Sequence, residues 1–181
     1  MPRNILFMPT LLLATSLVGC WSPFHDLNSG QGLDPKGPAF ARALYGGYVG
    51  LSESRSWSFD LDDGEHFNLK AKAAAGGERV TPDRPESRRL GEVEAPLLAD
   101  AYRRLWKSYQ RGARRLIPAQ AAEAQVRYDC WLEAAEGGRR EDARRCSLSF
   151  EIAMAELQLA MLPASRVGRS ADAGRPLSIE F

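Results

Sequence analysis

The stretch APLLADAYRRLWKSYQRGARRLI, residues 95–117, decides the fold class. Its apolar positions recur at alternating spacings of four and three residues, which is the period of an amphipathic α-helix. They are Leu98, Tyr102, Leu105, Tyr109, Gly112 and Leu116. We therefore predict one helix over this stretch, and Pro118 after it is suited to open the next helix.

The same helical period covers most of the middle of the chain. It predicts further helices over residues 38–55, 119–136 and 141–162, and a short one that begins at Asp62 and Asp63 and ends at Gly76. Residues 76–92 are charged and contain two prolines, so we expect an exposed loop. We predict an all-α fold, a compact bundle of about five helices over residues 39–162.

Three glycines lie inside the first predicted helix. Gly46, Gly47 and Gly50 each weaken an isolated helix by about 1 kcal/mol relative to alanine. Such glycines are useful where another helix comes close to the backbone. We therefore expect a neighbouring helix to pack closely against this segment.

Two cysteines flank the predicted turn at Gly137 and Gly138. Cys130 and Cys146 lie eight residues before and after position 138, so two antiparallel helices joined there place them at equal height. An oxidising compartment would favour a disulfide between them. The alternative is two separate buried thiols. Cys20, the third cysteine, is left unpaired.

The N-terminus has the features of an export signal. A cationic start precedes an apolar run over residues 5–18, which is shorter than the roughly 20 residues a transmembrane helix needs. The sequence Leu17-Val18-Gly19-Cys20 at its end is similar to the lipobox of bacterial lipoproteins, in which the cysteine is lipidated. We predict a signal peptide over residues 1–19, lipidation of Cys20, and a flexible tether over 20–38. An ordinary signal peptide with a coincidental cysteine is the alternative.

The block Tyr128-Asp129-Cys130-Trp131, with Cys146 opposite, resembles the N-terminal helical region of OmpA-family lipoproteins of Gram-negative bacteria. The resemblance covers most of residues 39–160. It implies a cell-envelope lipoprotein whose helical domain faces the periplasm. Trp21, and not the aspartate associated with inner-membrane retention, follows the predicted lipidated cysteine, so we expect the outer membrane, with the inner membrane as the alternative. In that family a peptidoglycan-binding module follows the helical region. Its binding residues have no counterpart here, so we expect no direct peptidoglycan binding.

The C-terminal residues 163–181 have the composition of a flexible tail. Leu177, Ile179 and Phe181 alternate with polar residues, which is the period of a strand. In the resembling lipoproteins a linker at this place leads into the peptidoglycan-binding module, so a stand-alone or truncated form is one interpretation. Chance alternation in a frayed end is the other.

Catalytic and metal-binding patterns are weak in this sequence. We interpret His66 as a surface histidine, because no second histidine or cysteine is placed to complete a metal site. The acidic run at residues 60–64 departs from a calcium loop in the position of its glycine and is better suited to start a helix. We expect no catalytic residues, no metal and no cofactor.

Three functions are compatible with these features. The favoured one is a non-catalytic envelope lipoprotein, attached to the membrane through Cys20, with envelope proteins as partners. A net charge of +1 gives no reason to expect nucleic acid as a partner. The second is an adaptor that binds a peptide or ligand in a groove lined by Tyr45, Tyr48, Trp57 or Phe67. The third is an enzyme of unfamiliar type.

Overall fold

The computed structural model describes residues 28–57 and 61–162, and within them the fold is all-α. A short 3₁₀ turn, Pro85–Ser87, interrupts the long connection between the second and third helices. The helices of the described part are α1 (Ala39–Trp57), α2 (Leu61–Ala75), α3 (Glu94–Gln110), α4 (Ala113–Leu116), α5 (Pro118–Glu136) and α6 (Arg140–Ala160). The predicted fold class is confirmed.

The helix predicted over residues 95–117 is divided in two. The described residues therefore contain six α-helices and not the predicted five. Gly112 has a backbone φ of 91°, which a right-handed helix cannot contain. The amide of Gly112 bonds to the carbonyl of Tyr109, and the chain then turns into the four residues of α4. The 3.6-residue pattern continues across the break, so periodicity alone did not reveal it.

Two helical hairpins and a crossing between them build the bundle. α1 packs against α2, α5 packs against α6, and α1 also crosses α5. At this crossing Gly47 lies so close to Val126 that a Cβ atom on Gly47 would lie 2.6 Å from Cγ2 of the valine. The expected close approach to α1 is therefore confirmed at Gly47, whereas Gly46 and Gly50 face open space.

Aromatic and leucine side chains from every long helix fill the core. Tyr48 of α1 stacks on Phe67 of α2, with 6.2 Å between the ring centroids, and Tyr128 of α5 meets Phe150 of α6 edge to face. Removal of such side chains from water is the main stabilising contribution to a bundle of this kind. The largest fully buried side chains include Tyr48, Tyr128, Phe67, Phe150, Leu44, Leu98, Leu105, Leu132, Met154 and Leu157.

The second half of the predicted tether lies on the bundle. The amide of Gly30 donates to Oδ1 of Asn68 at 2.9 Å, and the amide of Lys36 donates to the carbonyl of Ala75 at 2.8 Å. Both acceptors belong to α2. These bonds attach residues 30–36, which precede α1, to the surface of α2.

Candidate functional site

Cys130 and Cys146 are brought together as predicted. They lie on the facing helices α5 and α6, with their sulfur atoms 2.11 Å apart and their Cα atoms 5.7 Å apart. The guanidinium of Arg55 lies 3.8 Å from the sulfur of Cys130 and also pairs with Asp142 at 3.0 Å. The pair therefore joins the two helices of the C-terminal hairpin, and Arg55 connects that hairpin to α1.

The predicted lipidation site, Cys20, lies outside the described residues, as do the signal peptide and the C-terminal tail from residue 163. Lipidation and the nature of the tail stay predictions. Residues 58–60 are also outside the described part. The remainder of the acidic run forms the first turn of α2, with Asp62 and Asp63 near the helix N-terminus, where negative charge is favourable.

A buried polar cluster connects α1, α2 and α5. The carboxylate of Asp129 is fully buried and accepts a hydrogen bond from the hydroxyl of Tyr48 at 2.6 Å and from the ammonium of Lys70 at 2.7 Å. Its other oxygen accepts the backbone amide of Asp83 at 3.0 Å. Three donors thus surround this carboxylate, as a buried charge requires.

Lys70 and Asp83 extend this cluster to the loop after α2. Burial lowers the pKa of Lys70, but the negative charges of Asp129 and Asp83 outweigh it, and the pKa lies above its ordinary value. For Asp83, burial raises the pKa, whereas the bond with His66 and the charge of Lys70 lower it to well below its usual range. Both directions favour the charged forms of Lys70 and Asp83.

His66 belongs to the outer side of the same cluster. Its Nε2 lies 2.8 Å from Oδ2 of Asp83, and Arg88 reaches both groups while also pairing with Glu136 at 2.7 Å. His66 is about one third exposed, so it is partly a surface residue, as predicted, with charged neighbours that the sequence did not reveal. These contacts fix the loop at residues 83–88 against α2 and α5.

A second pair of buried carboxyl groups brings Glu133 of α5 together with Asp63 of α2. Burial, and then the hydrogen bond with Asp63, together raise the pKa of Glu133 to about 9. Asp63 in turn pairs with Arg139 at 2.6 Å. The raised pKa favours the protonated form of Glu133 at neutral pH.

An open apolar cleft lies where the first turn of α1 meets the loop after α2 and the α4–α5 corner. Its volume is about 410 Å³, within the range of small-molecule sites. Apolar side chains and three arginines surround it with one carboxylate. The lining comprises Pro38, Ala39, Phe40, Ala41, Gly77, Glu78, Arg79, Val80, Arg114, Arg115 and Pro118.

Arg114 is a charged group of this cleft that contacts several aromatic rings. Its guanidinium carbon lies 3.9 Å from the ring centroid of Tyr109 and 5.3 Å from that of Phe40, which are cation–π distances. Burial, together with the charge of Arg79, lowers its pKa. Its Nε and Nη2 atoms are buried and have no hydrogen-bond partner among the described residues.

A second surface feature is the outer face of α6. Leu148, Ile152, Ala155 and Leu159 follow one another at spacings of four, three and four residues, and all four are exposed. Leu148 and Leu159 are each 62% exposed and Ile152 is 54% exposed. The buried face of α6, which includes Phe150 and Leu157, lies on the other side of the helix. We call these four residues the α6 seam.

Of the four residues expected to line a groove, the two that are fully described in the core do not face an open surface. Tyr48 and Phe67 are fully buried in the core, Tyr45 accepts a hydrogen bond from the amide of Leu33, and the side chain of Trp57 is outside the described set. The cleft was missed because a loop and the break at Gly112 create it. The α6 seam was visible in the sequence as a second apolar series on one helix.

Comparison with known proteins gave no match, neither to a family model, nor to a curated protein, nor to a solved structure. The resemblance to OmpA-family lipoproteins therefore stays a prediction. Within residues 28–57 and 61–162, no helix has both the length and the apolar content to span a bilayer. In the same residues, no three acidic, histidine or cysteine side chains are grouped as metal ligands.

Proposed function

We propose that this protein is a lipid-anchored, non-catalytic interaction domain of the bacterial cell envelope, related to the N-terminal helical region of OmpA-family lipoproteins. The anchor is the lipidated Cys20, in the outer membrane, with the helical domain facing the periplasm. The observation that carries the interaction role is the α6 seam, because a heptad-spaced apolar stripe is what one helix presents to another.

The occupant that best suits the seam is a second copy of this chain with its α6 antiparallel. In a parallel pair, Glu151 would face Glu156 of the second copy, and like charges beside the seam are unfavourable. In an antiparallel pair, Glu151 faces Gln158 and Glu156 faces Ser149. The antiparallel register also places Leu148 against Leu159.

A seam of four residues predicts weak pairing in solution, and the anchor compensates for this. Two domains held on one membrane surface have a much higher effective concentration than two domains in free solution. Lipidation would therefore allow two domains to pair through a seam that is too short for stable pairing in free solution.

The anchor is tested by Cys20→Ser. We expect this variant to be released into the soluble periplasmic fraction and to lose acyl labelling, because roughly 0.8 kcal/mol per buried methylene is lost with the lipid. Density-gradient fractionation of the unmodified protein separates outer from inner membrane. A Cys20→Ser protein that still sediments with membranes would contradict the anchor.

Pairing is tested by Ile152→Glu, measured by analytical ultracentrifugation at increasing protein concentration. The matched control is Leu97→Glu on α3, because Leu97 is 51% exposed and lies outside the seam. We expect concentration-dependent dimers for the unmodified protein and for Leu97→Glu, but only monomers for Ile152→Glu. Monomers throughout, or equal dimerisation of both variants, would contradict the role of the seam.

The adaptor is the second candidate function, and a specific observation favours it. The cleft at the first turn of α1 has the size and the apolar lining of a ligand site. Its lining residues differ from those of the groove considered in the sequence analysis, of which Tyr48 and Phe67 are buried in the core. A shift of the Trp106 indole resonance on ligand addition tests it, because Trp106 packs 5.1 Å from the guanidinium of Arg114.

A further inference from the structure

We propose that the cleft formed by the first turn of α1, residues 77–80 and the α4–α5 corner binds a small apolar monocarboxylate. The inference rests on the adaptor candidate and is independent of lipidation and of the α6 seam. Two properties of the cleft specify this ligand class, namely its apolar walls and the arrangement of its positive charges.

The walls determine the body of the ligand. Phe40, Ala41, Val80 and Pro118 contribute apolar surface to a space of about 410 Å³. An aliphatic or aromatic body of about ten heavy atoms would replace water against these side chains, which is favourable in proportion to the apolar area covered. A compact polar ligand would leave these apolar side chains in contact with water.

The charges determine the head of the ligand. Arg79, Arg114 and Arg115 line the cleft, and Glu78 is the one acidic residue among the lining residues that the structure describes. This excess of positive charge is complementary to an anion and disfavours a cationic ligand. Residues 38–41 at the N-terminal end of α1 line the same space, and a helix N-terminus adds a favourable field for negative charge.

Arg114 supplies the specific recognition. Its guanidinium carbon lies 3.9 Å from the centroid of the Tyr109 ring, and Nε and Nη2 are buried without a hydrogen-bond partner in the described part of the chain. Two N–H groups on one edge of a guanidinium match the two oxygens of a carboxylate. This pair of parallel N–H groups, the fork, suits a single carboxylate better than a phosphate, which has more oxygens and more charge to satisfy.

The test uses the purified full chain, labelled with ¹⁵N, and follows the Trp106 indole resonance, assigned with Trp106→Phe. The probes are octanoate, 1-octanol and octylammonium, which share the chain but differ in the head, and a short apolar peptide with a free carboxyl terminus. The variants are Arg114→Gln, Arg114→Lys and Arg79→Gln. Arg103→Gln is the control for charge, because Arg103 is 75% exposed and pairs with Asp100 on the surface of α3.

We expect octanoate to bind with saturation and octylammonium to cause no shift. Loss of a charge-assisted hydrogen bond in Arg114→Gln should weaken octanoate binding about tenfold or more. Arg114→Lys should restore only part of the affinity, because an ammonium lacks the fork. Arg79→Gln, which changes an exposed side chain and leaves the fold intact, should weaken binding less than Arg114→Gln does, and Arg103→Gln should bind like the unmodified protein.

Equal affinity for octanoate and 1-octanol, or equal effects of Arg114→Gln and Arg103→Gln, would overturn the inference. So would binding of the peptide without binding of octanoate, which would leave the adaptor function intact with another ligand. If no probe moves the Trp106 resonance, both the inference and the adaptor candidate fail.

Discussion

The hydroxyl of Tyr48 donates a 2.6 Å hydrogen bond to Oδ2 of Asp129, although 81 residues separate them in the chain. The same oxygen accepts the ammonium of Lys70, and the amide of Gln125 donates to the Tyr48 hydroxyl at 2.8 Å. Burial, and then the charge of Asp129, raises the pKa of Tyr48 well above its ordinary value, so the hydroxyl keeps its proton. A buried carboxylate thus fixes the positions of α1 and α2 against α5.

The first prediction concerns this bond. Tyr48→Phe should lower the free energy of unfolding by about 2 kcal/mol, because Asp129 loses a donor and Gln125 loses an acceptor in a buried site. Urea denaturation followed by circular dichroism measures the change. Tyr45→Phe is the control, since its hydroxyl bonds to an exposed amide, and it should cost less than about 1 kcal/mol. Equal unfolding midpoints for both variants would show that the buried bond of Tyr48 stabilises the fold no more than the exposed bond of Tyr45.

The sequence predicted those features that depend on local pattern. Apolar periodicity located the long helices, and the equal spacing of Cys130 and Cys146 from the turn predicted their meeting. The Tyr48–Asp129 bond was not predictable in the same way, because it depends on which helix crosses which at long range. The cleft depends on the left-handed backbone at Gly112, and nothing in the apolar period marks that residue as a break.

The second prediction separates two glycines of α1. Gly47→Ala should destabilise the protein by about 1–3 kcal/mol, because the new Cβ atom would overlap the rigid side chain of Val126. Gly50→Ala should stabilise it by up to about 1 kcal/mol, since this exposed glycine faces open space and alanine is the better helix former. Thermal unfolding of both variants measures the difference. The same sign of change at both positions would contradict the close crossing of α1 and α5.

The third prediction concerns the cysteine pair. Replacing both Cys130 and Cys146 by alanine should cost roughly 3 kcal/mol, because the cross-link closes a loop and restricts the unfolded chain. Denaturant unfolding of the oxidised protein and of the double variant measures this difference. Cys20→Ser should leave the free energy of unfolding unchanged. Alkylation of both thiols under denaturing, non-reducing conditions would show that the bond is absent.

The last prediction is a pH dependence that arises from Glu133. Its pKa in the folded state is about 9, against about 4.5 as its ordinary value, because burial and then the contact with Asp63 disfavour the charged form. Between these two pH values the folded state holds a proton that the unfolded chain releases, so the contribution of Glu133 to stability falls as the pH rises from about 5 to 9. Asp83 does not contribute in this range. Its lowered pKa stabilises the folded state, and this stabilisation is lost only as the pH falls below about 4.

Glu133→Gln isolates this effect, because glutamine resembles the protonated carboxyl group and cannot ionise. Burial also raises the pKa of Asp129, so the informative quantity is the difference between the unmodified protein and the variant at each pH. We expect the variant to lose less stability than the unmodified protein between pH 5 and 9 in urea denaturation. Glu123→Gln, at an exposed residue paired with Arg127, should keep the full slope. If Glu133→Gln loses as much stability between pH 5 and 9 as the unmodified protein, Glu133 is ionised in the folded protein and the proposed origin of the pH dependence is wrong.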